Sequence, residues 1–252
     1  MAFVSNAKNI ICASKDTPLC FCVKGVAIRA INSVTGELAK TYRSGEGCVT
    51  CLAMNPGLDV MVCGDENGVV SAQASKTGNH YWTNELNDTP VAMIATEVLC
   101  FICLELGRVE ARWLTDGKLL WKRNFASNLT CMELLNDCFL VIGSRAGQVM
   151  CLGILDGKVV YKSEVSKDPD PTFEKNIRCM AVSDSGLVAC GNTKGEVVCR
   201  EGYKDEVLWT QESGAQVVTI QLNDTRCVTG DVGGVVRCWK VDEFGELAWQ
   251  VR

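Results

Sequence analysis

A short motif returns about every forty residues along this 252-residue chain, and it limits the possible folds more than any other feature. It reads Gly64-Asp65-Glu66-Asn67-Gly68-Val69-Val70, then Gly143-Ser144-Arg145-Ala146-Gly147-Gln148-Val149. It returns as Gly191-Asn192-Thr193-Lys194-Gly195-Glu196-Val197 and as Gly230-Asp231-Val232-Gly233-Gly234-Val235-Val236. A second marker keeps the same beat: Asp116-Gly117-Lys118-Leu119-Leu120-Trp121, Asp156-Gly157-Lys158-Val159-Val160-Tyr161, Asp205-Glu206-Val207-Leu208-Trp209 and Gly245-Glu246-Leu247-Ala248-Trp249. Self-similarity at this period means stacked units, none of which can bury its apolar face alone.

Each unit divides into four short strands, a to d. In the second unit these are expected over 49–54, 58–63, 69–74 and 80–85, with Gly, Asn and Asp at the joins as hairpins require. The glycines between b and c fall at Gly25, Gly68, Gly107, Gly147, Gly195 and Gly234, separated by 43, 39, 40, 48 and 39 residues. Runs such as Cys138-Phe139-Leu140-Val141-Ile142 are too short and too rich in β-branched and aromatic residues for helical repeats. The expectation is an all-β, six-bladed β-propeller of four-stranded antiparallel blades. It forms a single domain over 1–252, with blades near 9–43, 48–86, 90–124, 128–163, 176–211 and 216–252. Because all six blades look complete, closure would rest on packing of the first blade against the last, or on another chain.

The strand Gly234-Val235-Val236-Arg237-Cys238-Trp239-Lys240 resembles the c strand of a WD-repeat, and the Gly-(Asp/Ser/Asn)-x-x-Gly-x-Val turn is similar to that family's b–c corner. The Gly-Lys-Leu-Leu-Trp run resembles repeats of quinoprotein-like propellers. The chain departs from the WD pattern in lacking its Gly-His pair and in having Trp239-Lys240 where the family has Trp-Asp. The family's turn Asp is replaced by Asn67, Leu106, Ala146, Lys194 and Gly233. Its network of Asp, His, Ser and Trp side chains is therefore not expected here. The resemblance implies a degenerate member of the WD-repeat-like group acting as a protein-binding scaffold.

Sixteen cysteines invite a metal or redox role, above all in Cys48-Val49-Thr50-Cys51 and Cys100-Phe101-Ile102-Cys103. Both pairs fall on expected strands, where residues three apart point to opposite faces and cannot share one ion. Laid in register, Cys12, Cys51, Met93, Cys131, Cys179 and Thr219 form one column of strand a. Ala72, Ala111, Cys151, Cys199 and Cys238 form a column of strand c, and Cys63, Ile142, Cys190 and Thr229 one at the end of strand b. Cysteine alternating with Ala, Thr and other apolar residues behaves as a small buried hydrophobe. No metal and no cofactor is expected.

A net charge of −5 argues against a general nucleic-acid binder, which needs a basic face. No run reaches the roughly 18 apolar residues of a membrane span. The first residues show no basic start followed by an apolar stretch, so an intracellular, reducing, cytoplasmic setting is expected. The single histidine, His80, begins an outer strand and makes a histidine-based catalytic triad improbable. The aromatic stripe Trp82, Trp121, Tyr161, Trp209 and Trp249 is expected to pack between blades. These features favour a non-enzyme.

Recognition is expected from the loops at the d–a and b–c end of the ring. The interval that breaks the rhythm contains 163–175, stiffened by two Asp-Pro steps and carrying Asp168, Asp170 and Phe173. Glu66, Asn67, Glu105, Arg145, Thr193 and Lys194 lie at the same end. The expected function is a protein–protein interaction platform presenting loops on a rigid ring, with other proteins as partners. Two alternatives stay open: an enzyme or small-ligand binder using the axial channel, and a structural subunit whose ring a partner completes.

Overall fold

The computed structural model describes residues 11–13, 19–43, 45–55, 57, 59–165 and 175–252. Six four-stranded antiparallel sheets follow one another, each pairing its strands in chain order. The first comprises β1 (Ile11–Ala13), β2 (Leu19–Lys24), β3 (Ala27–Asn32) and β4 (Leu38–Arg43). The second comprises β5 (Val49–Asn55), β6 (Val60–Asp65), β7 (Val69–Ala74) and β8 (His80–Glu85). The third has β9 (Pro90–Ala95), β10 (Leu99–Leu104), β11 (Arg108–Trp113) and β12 (Leu119–Asn124). The fourth has β13 (Leu129–Leu135), β14 (Phe139–Ser144), β15 (Gln148–Gly153) and β16 (Val159–Glu164). The fifth has β17 (Ile177–Val182), β18 (Leu187–Asn192), β19 (Glu196–Glu201) and β20 (Val207–Glu212). The sixth has β21 (Val217–Leu222), β22 (Arg226–Asp231), β23 (Val236–Lys240) and β24 (Leu247–Val251). Two compact units, Met1–Ala126 and Ser127–Arg252, contain three sheets each. Among the described residues no helix is long and apolar enough to cross a membrane.

Strand b of the second sheet begins at Val60 rather than at 58, because Asp59 adopts a left-handed φ of 54° that a strand cannot accommodate. It runs on to Asp65, whose backbone pairs with Val49.

Neighbouring sheets within each unit meet at one recurrent contact. The fifth residue of strand b is Gly64, Gly143 or Gly191, and the first residue of the next sheet's strand a lies directly over it. A Cβ on Gly64 would come within 2.9 Å of Pro90, one on Gly143 within 2.8 Å of Ile177, and one on Gly191 within 2.6 Å of Val217. The same glycine is approached from within its own sheet by the sulfur of Cys51, Cys131 or Cys179. The absent side chain lets two sheets close on each other at packing distance.

The register corrects one cysteine column. Strand a of sheets two to six carries a bulge after its first residue, so Cys51, Cys131, Cys179 and Thr219 sit opposite the strand-b glycine. In the third sheet that position belongs to Ala92, which pairs with Cys103, and not to Met93, which pairs with Ile102. The volumes are exchanged: Cys103 replaces the glycine, and its partner shrinks to alanine. Cys12 pairs with Phe21, two places away from the column. Aligning by residue chemistry missed this because a shift of one residue moves a side chain to the opposite face.

The c-strand column holds, and its logic is steric. Ala72, Ala111, Cys151, Cys199 and Cys238 each pair across the ladder with the d-strand aromatic: Trp82, Trp121, Tyr161, Trp209 and Trp249. A small residue makes room for the ring. The aromatic is then covered by the c–d turn of the next sheet, where a Cβ on Gly78 would meet Tyr42, one on Gly117 would meet Trp82, and one on Gly245 would meet Trp209. Trp82 Nε1 also donates to the Leu114 carbonyl at 2.8 Å. Trp82, Trp121 and Trp209 are buried. Trp249 departs from the expectation: it is 47 % exposed, on a strand exposed along its whole length.

In the sixth sheet, part of a WD-type side-chain network is built by other residues. Trp239 Nε1 donates to Thr229 Oγ1 at 3.0 Å, and Arg237 Nη1 bridges Asp231 Oδ2 (2.6 Å) and Ser213 Oγ (2.9 Å).

Gly143→Ala should test the sheet-to-sheet contact. Its Cβ would lie 2.6 Å from Cys131 Sγ and 2.8 Å from Ile177, and overpacking of this kind costs about 1–3 kcal/mol. Urea unfolding should show that loss, and adding Cys131→Ala should recover part of it as a favourable coupling in a double-mutant cycle.

Candidate interaction surface

Each sheet has two ends. One carries the b–c turn and the d–a connections, and the other carries the a–b and c–d turns. The first end is tied down by a repeated side-chain cap. Asp65 Oδ1 accepts the backbone N–H groups of Asn67 and Val69, both at 3.0 Å. Asn192 Oδ1 does the same for Lys194 and Glu196, and Asp231 Oδ1 for Gly233 and Val235. Ser144 Oγ accepts from Gln148 at 3.1 Å. The polar residue after each strand-b glycine is thus consumed in holding its own turn. Where the third sheet has Leu104 instead, Asp88 from the preceding connection accepts the Leu106 N–H at 3.3 Å.

The expected recognition residues emerge from these capped turns. In the first unit Glu66 and Asn67 are exposed, and Glu105 is half-buried. In the second, Arg145 is exposed while Thr193 and Lys194 are half-buried. Their backbones are anchored identically: Glu66, Glu105, Arg145 and Thr193 donate N–H groups to the carbonyls of Cys48, Thr89, Asn128 and Asn176 at 2.8–3.0 Å. Glu66 Oε1 also accepts the Cys48 N–H at 3.0 Å. The second sheet's turn is acidic, and the turns of the fourth and fifth sheets carry Arg145 and Lys194. Asp168, Asp170 and Phe173 lie outside the described residues.

The opposite end is more apolar than the sequence pattern suggested. The outer strands open with solvent-facing pairs: Leu119 and Leu120, and Val159 and Val160. Leu38, Tyr81, Val207 and Leu247 occupy the same stretch of their strands, and Val34, Leu155 and Phe244 project from c–d turns. The Leu-Leu and Val-Val steps of the second repeat marker were the available signal. Alternation assigns only one residue of each pair to the sheet face, and the other is left to water.

Cysteine chemistry is quiet. Burial pushes the thiols of Cys100, Cys131, Cys190 and Cys199 up to about 12, and that of Cys151 to about 11, so they stay protonated and unreactive. Cys48 is exposed, and its thiol is raised mainly by its hydrogen bond and charge interaction with Glu66. Among the described residues no three His, Cys, Asp or Glu side chains are grouped to hold a metal ion.

One carboxyl that sequence reasoning missed is Glu133 on strand β13, which burial pushes up to about 8. Strand alternation gives no warning of it, because the enclosure comes from tertiary packing. Asp231 is displaced the other way, held below the usual carboxylate range by the Val235 N–H and by Arg237.

With these sheets and turns in hand, comparison with known proteins is informative about the fold. No family model and no curated protein matches the sequence. Among solved structures, Sqt1 from Saccharomyces cerevisiae aligns with a TM-score of 0.83 at 13 % identity, over 95 % of this chain and 72 % of that one. A chain of the mitotic checkpoint complex aligns at 0.81 and 10 % identity, over 92 % and 74 %. BamB from Moraxella catarrhalis aligns at 0.63 and 14 % identity, over 99 % and 87 %. The first two are WD40 propellers and the third is a quinoprotein-like propeller. The chain therefore has a WD-repeat-like β-propeller fold, and its six sheets are the blades.

Two titrations follow. The folded pKa of Asp231 lies below its unfolded value near 3.9, so its stabilisation is fully present above about pH 4 and is lost as pH falls through the folded value. Asp231→Asn should lower the melting temperature at pH 7, with the difference shrinking in melts run towards pH 2. Glu133 has a raised folded pKa, so wild-type stability declines as pH rises from about 4 to about 8. Glu133→Gln should remove that decline and exceed wild type at pH 8–9.

Proposed function

We propose that this chain is a non-catalytic protein-interaction platform of the cytoplasm. The observation that carries this reading is the use made of its polar groups. Asp65, Ser144, Asn192 and Asp231, the residues placed to do chemistry at the turns, are spent on backbone caps. What they hold out to solvent is a set of variable side chains on anchored turns. Such turns lose little entropy on binding, which favours recognition by a few anchors. The fold is shared with propellers that work within protein assemblies, a chain of the mitotic checkpoint complex among them, which gives the same direction.

Partner contact is assigned to the b–c and d–a end, through Arg145, Lys194 and the chain segment that contains Asp168, Asp170 and Phe173. Tagged full-length protein, cross-linked in its native cell and identified by mass spectrometry, should enrich a reproducible partner. Replacing 166–174 by a Gly-Ser linker, or combining Arg145→Glu with Lys194→Glu, should abolish that capture without lowering the melting temperature. Capture unchanged in both variants would remove this end from the interface.

A further inference from the structure

The cavity of about 220 Å³ lined by Val60, Tyr81, Leu114 and Thr115 carries no charge to select a ligand. A set of enclosed polar atoms in the fourth and fifth blades does. Arg200 on β19 is fully buried. Its Nη1 reaches Asp205 Oδ1 on the exposed c–d turn at 3.3 Å. Its Nε and Nη2 are enclosed and make no hydrogen bond. The third blade shows what such a position takes. Arg112 stands five residues after its turn glycine, as Arg200 does, and Glu110 serves it. Glu110 Oε2 accepts from Arg112 Nε at 2.8 Å and pairs with Nη2 at 2.7 Å. A single oxygen therefore fills the two nitrogens that stay open on Arg200. The fifth blade has Val198 in place of Glu110.

Charge and size select the occupant. The Tyr161 hydroxyl, on the fourth blade's outer strand, lies beside the guanidinium and is enclosed without a hydrogen-bond partner. Burial pushes it up to about 12, so it stays a donor at neutral pH. Cys190, which also feels the Arg200 charge, spends its S–H on the Val198 carbonyl at 3.7 Å. Among the described residues no second carboxylate pairs with Arg200. A guanidinium taken out of water gains most from a negative acceptor, as Arg112 does from Glu110. Full enclosure shuts out a partner's side chain, and one atom suffices, as Glu110 Oε2 shows.

We propose that Arg200 and the Tyr161 hydroxyl bind a monatomic anion, chloride or a related halide, between the fourth and fifth blades. The ion takes on Arg200 the place that Glu110 Oε2 takes on Arg112, and it ties the two blades together. The site is independent of the platform reading.

The test follows thermal unfolding of the full chain at constant ionic strength while chloride replaces gluconate. The midpoint should rise by about 2–4 °C and level off as the site fills. In NMR of the chloride ion, the line should broaden when the protein is added and sharpen again when bromide competes. Arg200→Gln should abolish both signals. Tyr161→Phe removes one donor but keeps the ring against Cys151, and it should weaken chloride binding about tenfold. Arg29→Gln, at an exposed position of the first blade, should leave both signals unchanged. Should Arg200→Gln fail to fold, the tenfold loss in Tyr161→Phe decides. A midpoint indifferent to chloride with no broadening, as an ordered water in the site would give, overturns the proposal. Signals that persist at full strength in Tyr161→Phe mark a halide bound elsewhere and overturn it equally.

Discussion

The contact between a strand-b glycine and the first residue of the next strand a sets the spacing of sheets within each unit. Pro90 over Gly64, Ile177 over Gly143 and Val217 over Gly191 place the backbones of adjacent blades at side-chain distance. Much of the surrounding chemistry follows from that closeness. The sulfur of Cys51, Cys131 or Cys179 fills the narrow space beside the glycine, and Thr219 fills it in the sixth sheet. When the glycine becomes Cys103, its partner shrinks to Ala92, which offsets most of the added bulk.

A second contact works at the other end of the blades. In the second and fifth, an outer-strand Trp lies across a small c-strand residue and meets a glycine of a c–d turn, as in Ala72, Trp82 and Gly117. The Asp of the Asp-Gly-Lys marker caps that turn, with Asp116 Oδ1 accepting the Lys118 N–H at 3.0 Å. Structure and function are thus divided along the chain: glycines, cysteines and capping residues make the blades, and the residues between them face solvent. The b–c end of a blade presents polar and charged groups on anchored turns. Its opposite end presents exposed aliphatic and aromatic side chains.

Much of this was legible in residue spacing. The glycine beat located six sheets, and the c-strand column was correct because nothing shifts the register between strand c and its turn. The strand-a column failed at Met93 and Cys12, since matching by side-chain chemistry chose residues one and two places from the position that faces strand b's fifth residue. The polar residues of the b–c turns were visible as variable positions inside a fixed motif. Tyr81 and Leu114 were not visible as a pair. They are separated by more than thirty residues and meet only because the third blade's c–d turn leans on the second blade's outer strand.

The sequence by itself determined the repeat, the strand order and the residues that cap the turns, because each of these is a local matter of φ, hydrogen bonding and alternation. Only tertiary structure decided which apolar side chains stay in water, why burial pushes the Glu133 carboxyl up, and where a cavity opens. Those properties depend on what a neighbouring blade places over a residue, and no spacing within one blade encodes that.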